Sequence, residues 1–177
     1  MEIRIRKIDS QSIHEVDQFD HKFTVNSKLV LSMDNGKLIY SISSVPPYEK
    51  EMLLEAADYT TFFENPERVI FFADVQGKLA GQIKVISWWN KFAYIENLIV
   101  NPENRGQGVG RALLANAIDW AKSNNFPGIM LEAQDDNVPA CRLYESCGFE
   151  LAGFDRYLYK GLSPSTDQIA LYWYLVF

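Results

Sequence analysis

Long apolar runs are missing from this sequence. None approaches the roughly 18 consecutive residues that a membrane-spanning helix needs, and Met1 to Ser10 alternates charge with Ile instead of forming the apolar centre of a signal peptide. The expected location is therefore the cytoplasm. Cysteine and histidine are equally scarce, with only Cys141, Cys147, His14 and His21 in 177 residues. The two thiols, six apart on an expected helix, stand about 9 Å apart along its axis at about 1.5 Å per residue, too far for a disulfide within it. Both are read as reduced, packed thiols, and neither has a histidine partner that would make it a nucleophile. His14 and His21 are expected on the surface. No Cys/His cluster has zinc spacing, so no metal is expected. Cationic side chains are outnumbered, 17 Lys and Arg against 23 Asp and Glu, for a net charge of −6. A general nucleic-acid or anionic-membrane surface needs clustered Lys and Arg and is excluded; a cationic ligand fits better.

What is present describes one domain, residues 1–177, long enough to bury a core without cross-links. Residues 2–8 alternate as a half-exposed strand should. Ser12-Ile-His-Glu15 has capping-box spacing, and Ile13, Val16 and Phe19 continue a helical rhythm. KLVLSM and KLIYSI flank Asp34-Asn35-Gly36, a hairpin signal. Residues 49–63 read as a helix ending before Asn65-Pro66, since proline disfavours helical geometry in the residue ahead of it. RVIFFADV, LAGQIKVISWW and FAYIENLIV, separated by short turns, make an antiparallel meander. Leu113, Leu114, Ala117, Ile118 and Ala121 mark one face of a helix that ends near Asn124-Asn125. Residues 128–133 are a strand, expected parallel to FAYIENLIV through a right-handed crossover. Residues 138–147 are a helix with Pro139 in its first turn and Gly148 beyond its end. LAGFDRYLYK and QIALYWYLVF read as a closing strand pair, and the aromatic last strand could pair across a homodimer.

The chemistry concentrates in NPENRGQGVGRALL, residues 101–114, where Gly106, Gly108 and Gly110 separate a strand from a helix. Such a turn presents unpaired backbone N–H groups at the positive end of a helix dipole, where a pyrophosphate binds. A P-loop would need Gly-Lys-Ser/Thr where the chain has Gly110-Arg111-Ala112, and a Rossmann fingerprint would need glycine where it has Arg111. Arg105-x-x-Gly108-x-Gly110 resembles the pyrophosphate loop of the GNAT family of acyl-CoA-dependent N-acetyltransferases. A second segment, Asn137-x-x-Ala140-x-x-Leu143-Tyr144-x-x-x-Gly148-Phe149, resembles another signature of that family, in the correct order.

The resemblance implies an α/β (α+β) fold, a mixed central sheet of about seven strands flanked by about four helices and splayed between the fourth and fifth strands. It implies acetyl-CoA as co-substrate, with its pyrophosphate on the backbone of Gly106, Gln107, Gly108, Val109, Gly110 and Arg111. Arg105 either adds charge there or caps the turn, and Arg111 is either a ligand or a solvated helix residue. The pantetheine arm would lie along Leu98, Ile99 and Val100, with Asn137 either bonding it or capping its own helix. Glu96 is the candidate base, with a water chain in that role, and a fixed salt bridge or plain solvent exposure for Glu96 itself, as the alternatives. Tyr144 is the candidate acid for the departing thiolate, with a core aromatic as the alternative. The whole chain is similar to the streptothricin acetyltransferases, which acetylate the β-lysine amine of that antibiotic. Residues 48–64 read either as an acidic, aromatic wall for a cationic guest or as a merely amphipathic helix. Acetylation of a protein N-terminus or lysine, and a noncatalytic acyl-CoA sensing module, stay open as other readings.

Overall fold

The apolar runs on either side of Gln76-Gly77 become β4 (Arg68–Val75) and β5 (Lys78–Ser87), because both turn residues take positive φ, 51° and 75°, the twist that a two-residue hairpin requires. This computed structural model describes residues 2–52 and 58–177. The chain divides into two units, one of Met1–Lys22, Glu51–Ile129 and Val176–Phe177, the other of Phe23–Lys50 and Met130–Leu175.

In the first unit, β6 (Ala93–Val100) completes the expected antiparallel meander, and β1 (Ile3–Lys7) pairs antiparallel with β4. One face of this sheet meets Ile8, Val16, Phe19 and Phe62 over Ile70, Phe72 and Ile99. The 15-residue helix α2 (Val109–Ser123) packs on the same unit's strands and buries Val109, Leu113, Leu114, Ala117 and Ala121. Each fully buried leucine contributes about 2 kcal/mol. Gly81 lets helix and sheet close up, since a Cβ there would stand 2.7 Å from the Ile99 carbonyl oxygen and 3.2 Å from a Leu113 methyl.

In the second unit, β2 (Lys22–Asp34) and β3 (Lys37–Glu51) form a long ribbon through Asn35-Gly36, again with positive φ at both residues. β7 (Gly128–Gln134), β9 (Ala170–Val176) and β8 (Glu150–Asp155) are neighbours in that order, β8 antiparallel to β9. Trp173, Phe149 and Cys141 of helix α3 (Val138–Ser146) are buried. Gly148 takes φ 91°, ending α3. Beside the ribbon, the two units contribute four and three sheet strands, seven in all, and the fold is of the expected mixed α/β class.

Four expectations are corrected. Residues 12–20 are not a helix: only a 3-10 turn, Ile13–Glu15, forms. Asp9 Oδ1 accepts from Ser12 Oγ and from the N–H groups of Gln11 and Ser12, so the Ser12 hydroxyl is spent on a turn rather than a capping box, and Asp17 at φ 60° takes the chain out of helical geometry. The apolar rhythm there marks burial of Val16 and Phe19. Residues 49–51 continue strand β3, residues 53–57 lie outside the described residues, and only α1 (Thr61–Glu64) is helical. β8 stops at Asp155 because its carboxylate accepts from the N–H groups of Tyr157 and Leu158 and turns the chain into a 3-10 segment, Leu158–Gly161. His21 is half-buried, its Nδ1 enclosed without a hydrogen bond among the described residues, whereas His14 is exposed as expected.

Candidate active site

The glycine loop is held open from both sides. Asn101 Nδ2 donates to the Leu79 carbonyl at 3.1 Å, and its backbone N–H donates to Ala80, pinning the exit of β6 to β5. Arg105 Nε donates to the Val100 carbonyl at 2.9 Å and its Nη2 to the Lys22 carbonyl at 3.0 Å. The turn-capping alternative for Arg105 is therefore what the geometry displays: two of its donors brace the loop. Gln107 Nε2 likewise donates to the Glu103 carbonyl, at 2.6 Å. Gly106 and Gly108 take φ 72° and 89°, a region that costs an L-residue about 1–2 kcal/mol. The first inward helical bond runs from Ala112 N–H to the Gly108 carbonyl, and among the described residues the N–H groups of Gly106 to Gly110 bond no backbone carbonyl. Residues 105–108 and Arg111 are exposed. Free N–H groups at the start of a 15-residue helix form a cradle for a diphosphate, and the residues present fit that group.

Upstream on β6, Lys84 pairs with Asn97 and Val85 with Ile95, so Glu96 has no partner across the ladder and forms a β-bulge. The bulge brings Glu96 under the influence of a polar network on the face that carries Asn97. Gln82, fully buried, accepts from the Asp17 N–H at 2.9 Å and donates to Asn97 Oδ1 at 3.3 Å. Lys84 Nζ, on a residue 6% exposed, donates to Asp17 Oδ2 at 3.3 Å and sits 4.9 Å from the centre of the Tyr59 ring, while the Tyr59 hydroxyl donates to the same carboxylate. Glu96 is open to solvent on the strand, yet its pKa is raised, first by loss of hydration against the packed protein and further by Asp17, with Lys84 and Arg68 opposing. Open access with reduced hydration suits proton transfer. Ile99 is buried, and Leu98 and Val100 are half-buried.

In the second unit, Asn137 caps α3, its Oδ1 accepting from Ala140 N–H at 3.4 Å; its Nδ2 makes no hydrogen bond among the described residues. Tyr144, 7% exposed, lies with its ring centre 6.0 Å from that of Phe149. Cys141 is fully buried and burial pushes its thiol up to about 12, so it is no nucleophile near neutral pH; both cysteines are free thiols. Glu132 on β7 accepts from the Tyr159 hydroxyl, and burial pushes its carboxyl up to about 7.

Some site features lie outside the expected set. The Asp17–Gln82–Lys84–Asn97 network has a faint sequence signal, Gln82 and Lys84 alternating within an otherwise apolar strand. Of the expected acidic wall over residues 48–64, residues 53–57 lie outside the described residues; Glu49 is on an exposed strand, accepting from Thr24, and the Tyr48 hydroxyl donates to Asp136 at 2.8 Å.

The acetyltransferase (GNAT) family matches residues 36–149. Streptothricin acetyltransferase A of Bacillus subtilis is 33% identical over 98% of this chain and 99% of its own, and the streptothricin acetyltransferase of Escherichia coli is 35% identical over 97% and 95%. A Bacillus anthracis protein assigned as a streptothricin acetyltransferase, solved with acetyl coenzyme A, is 40% identical and superimposes with a TM-score of 0.93 over 99% of this chain and 100% of that one. Nourseothricin acetyltransferase superimposes with a TM-score of 0.82 at 28% identity, over 99% of both chains. The family match and these full-length likenesses show that the chain belongs to the GNAT acetyltransferase family.

Proposed function

We propose that this enzyme acetylates streptothricin on its β-lysine amine and so confers resistance to it. The observation that carries this reading is the extent of the likeness: superposition on the Bacillus anthracis protein covers 99% of this chain, including the segments before residue 36 and after residue 149 that lie outside the coenzyme motifs. Acceptor choice resides in such segments, so full-length similarity speaks to the amine as well as to the coenzyme.

Acetyl-CoA, bound by the N–H groups of residues 106–111, the strand backbone at Leu98–Val100 and Asn137, supplies a thioester whose C–S bond is exchanged for a C–N bond. An alkylamine with a pKa of about 10.4 is almost wholly protonated near pH 7 and cannot attack a carbonyl until a proton leaves it. Glu96 takes that proton; its raised pKa brings it closer to that of the amine than an ordinary carboxylate would be. Tyr144 gives a proton to the leaving sulfur. The Leu98 N–H is the donor assigned to the carbonyl oxygen as it gains charge. No covalent enzyme intermediate is needed.

Mass spectrometry of streptothricin incubated with the protein and acetyl-CoA tests the reading. One added acetyl group on the β-lysine moiety is expected. Unmodified streptothricin, alongside thiol release with a peptide N-terminus or lysine, would replace it with the protein-acetylating reading.

A further inference from the structure

Asp135 and Asp136 follow β7 and immediately precede the Asn137 cap of α3, and both are almost completely buried, at 4% and 5% exposure. The two carboxylates differ in their partners. Asp136 is fully engaged: Lys50 Nζ lies 2.7 Å from each oxygen, the Tyr48 hydroxyl donates at 2.8 Å and Gln168 Nε2 at 3.0 Å. Asp135 Oδ1 accepts from the Ile169 N–H at 3.1 Å, but among the described residues Oδ2 accepts no hydrogen bond. Asp135 lines a cavity of about 190 Å³ whose wall also includes Asp136, Lys28, Tyr48, Asp167 and Gln168.

A carboxylate on a residue only 4% exposed is stable when donors complete it, and an oxygen without a protein donor at the cavity wall is where a ligand N–H can do so. The charge around the cavity also leaves room for one more cation, since Asp135, Asp136 and Asp167 face two ammonium groups, those of Lys50 and Lys28, and the Lys28 Nζ stands 3.8 Å from Asp167 Oδ2. Asp135 is held above the usual carboxylate range, first by burial and then by Asp136, against the backbone bond from Ile169 and the lysines. A cavity of this size is below the roughly 300–1,000 Å³ that encloses a whole drug-sized ligand, so it takes one end of a molecule. No group of three His, Cys, Asp or Glu side chains among the described residues is placed to hold a metal ion, which points to an organic cation.

We propose that this cavity binds one end of an organic polycation, an ammonium or guanidinium whose N–H donates to Asp135 Oδ2. It stands independently of the proposed function and assigns Asp135 as the residue that makes this cavity prefer polycations to single amines.

Calorimetric binding without acetyl-CoA tests it independently of turnover, with streptothricin and spermidine as polycations and propylamine as the single-charge control. Asp135→Asn keeps the acceptor for Ile169 and removes the charge; it should weaken both polycations about tenfold or more, the loss of one charge-assisted hydrogen bond, while leaving propylamine and acetyl-CoA affinity as they were. Lys28→Met, which removes a competing cation, should tighten the polycations several-fold, and this variant decides if Asp135→Asn lowers the melting temperature. Unchanged polycation affinity in both variants, equal loss for propylamine, or loss of Mg²⁺ binding alone would overturn the proposal. Streptothricin that binds with this pattern but is not acetylated would sink the proposed function and leave the cavity assignment standing.

Discussion

Lys84 Nζ lies 3.3 Å from Asp17 Oδ2, and the same ammonium lowers the pKa of Glu96, which burial raises. One buried cation therefore serves two carboxylates. Lys84→Met should leave Asp17 with its Tyr59 and Gln82 partners but no counter-charge, destabilising the fold by about 1–3 kcal/mol in urea denaturation. Because the lost cation was holding the Glu96 pKa down, that pKa should rise further. A base works only when deprotonated, so the acid limb of the kcat/KM profile should move to higher pH. A limb that stays in place would separate Lys84 from the chemistry.

Glu96→Gln removes the proton acceptor while keeping shape. Turnover near pH 7 should fall about 100-fold or more, and the deficit should shrink as pH approaches the pKa of the amine, where solvent already supplies free base. Acetyl-CoA affinity, measured by calorimetry, should not change. A uniform loss across pH would assign Glu96 to binding.

Tyr144→Phe deletes only a hydroxyl from a buried ring. A fall in kcat of about 100-fold with acetyl-CoA affinity intact is the expected result for a proton donor. A matching fall in melting temperature with kcat preserved would make Tyr144 a core residue.

Gly108→Ala places a Cβ on a residue at φ 89°. The strain, about 1–2 kcal/mol, should appear as a rise in KM for acetyl-CoA of about tenfold with the amine KM unmoved. Equal effects on both substrates would argue against a diphosphate at this turn.

Glu132 gives a stability signature. Its carboxyl is raised from an ordinary 4.5 to about 7 in the fold, so between those values the folded chain binds more protons than the unfolded one. Stability from this group is present below pH 4.5 and is lost as pH rises through 7, a change of about 3 kcal/mol. Urea denaturation at pH 5 and pH 8 should show it, and Glu132→Gln should be flatter. An unchanged slope in the variant would place the titration elsewhere.

Much of this protein was legible in local pattern. Period-two alternation, the Asn-Gly and Gln-Gly turns and the strand–glycine–helix order are short-range steric facts, and they specified the meander, the ribbon turn, the glycine loop, α2 and α3. Local pattern failed at residues 12–20, where Asp17 at φ 60° takes the chain out of helical geometry, and at Asp155, whose carboxylate accepts from the next N–H groups and ends a strand early.

Tertiary structure alone decided the bulge at Glu96, the Asp17–Lys84 pair and the cavity of Asp135. Each depends on pairing between residues distant in the chain: the register of β5 on β6 skips Glu96, and Ile169 returns to Asp135 across 34 residues. Periodicity records which face of an element is apolar, but a polar residue's hydration, and with it its charge and its chemistry, is set by neighbours that only the folded chain supplies.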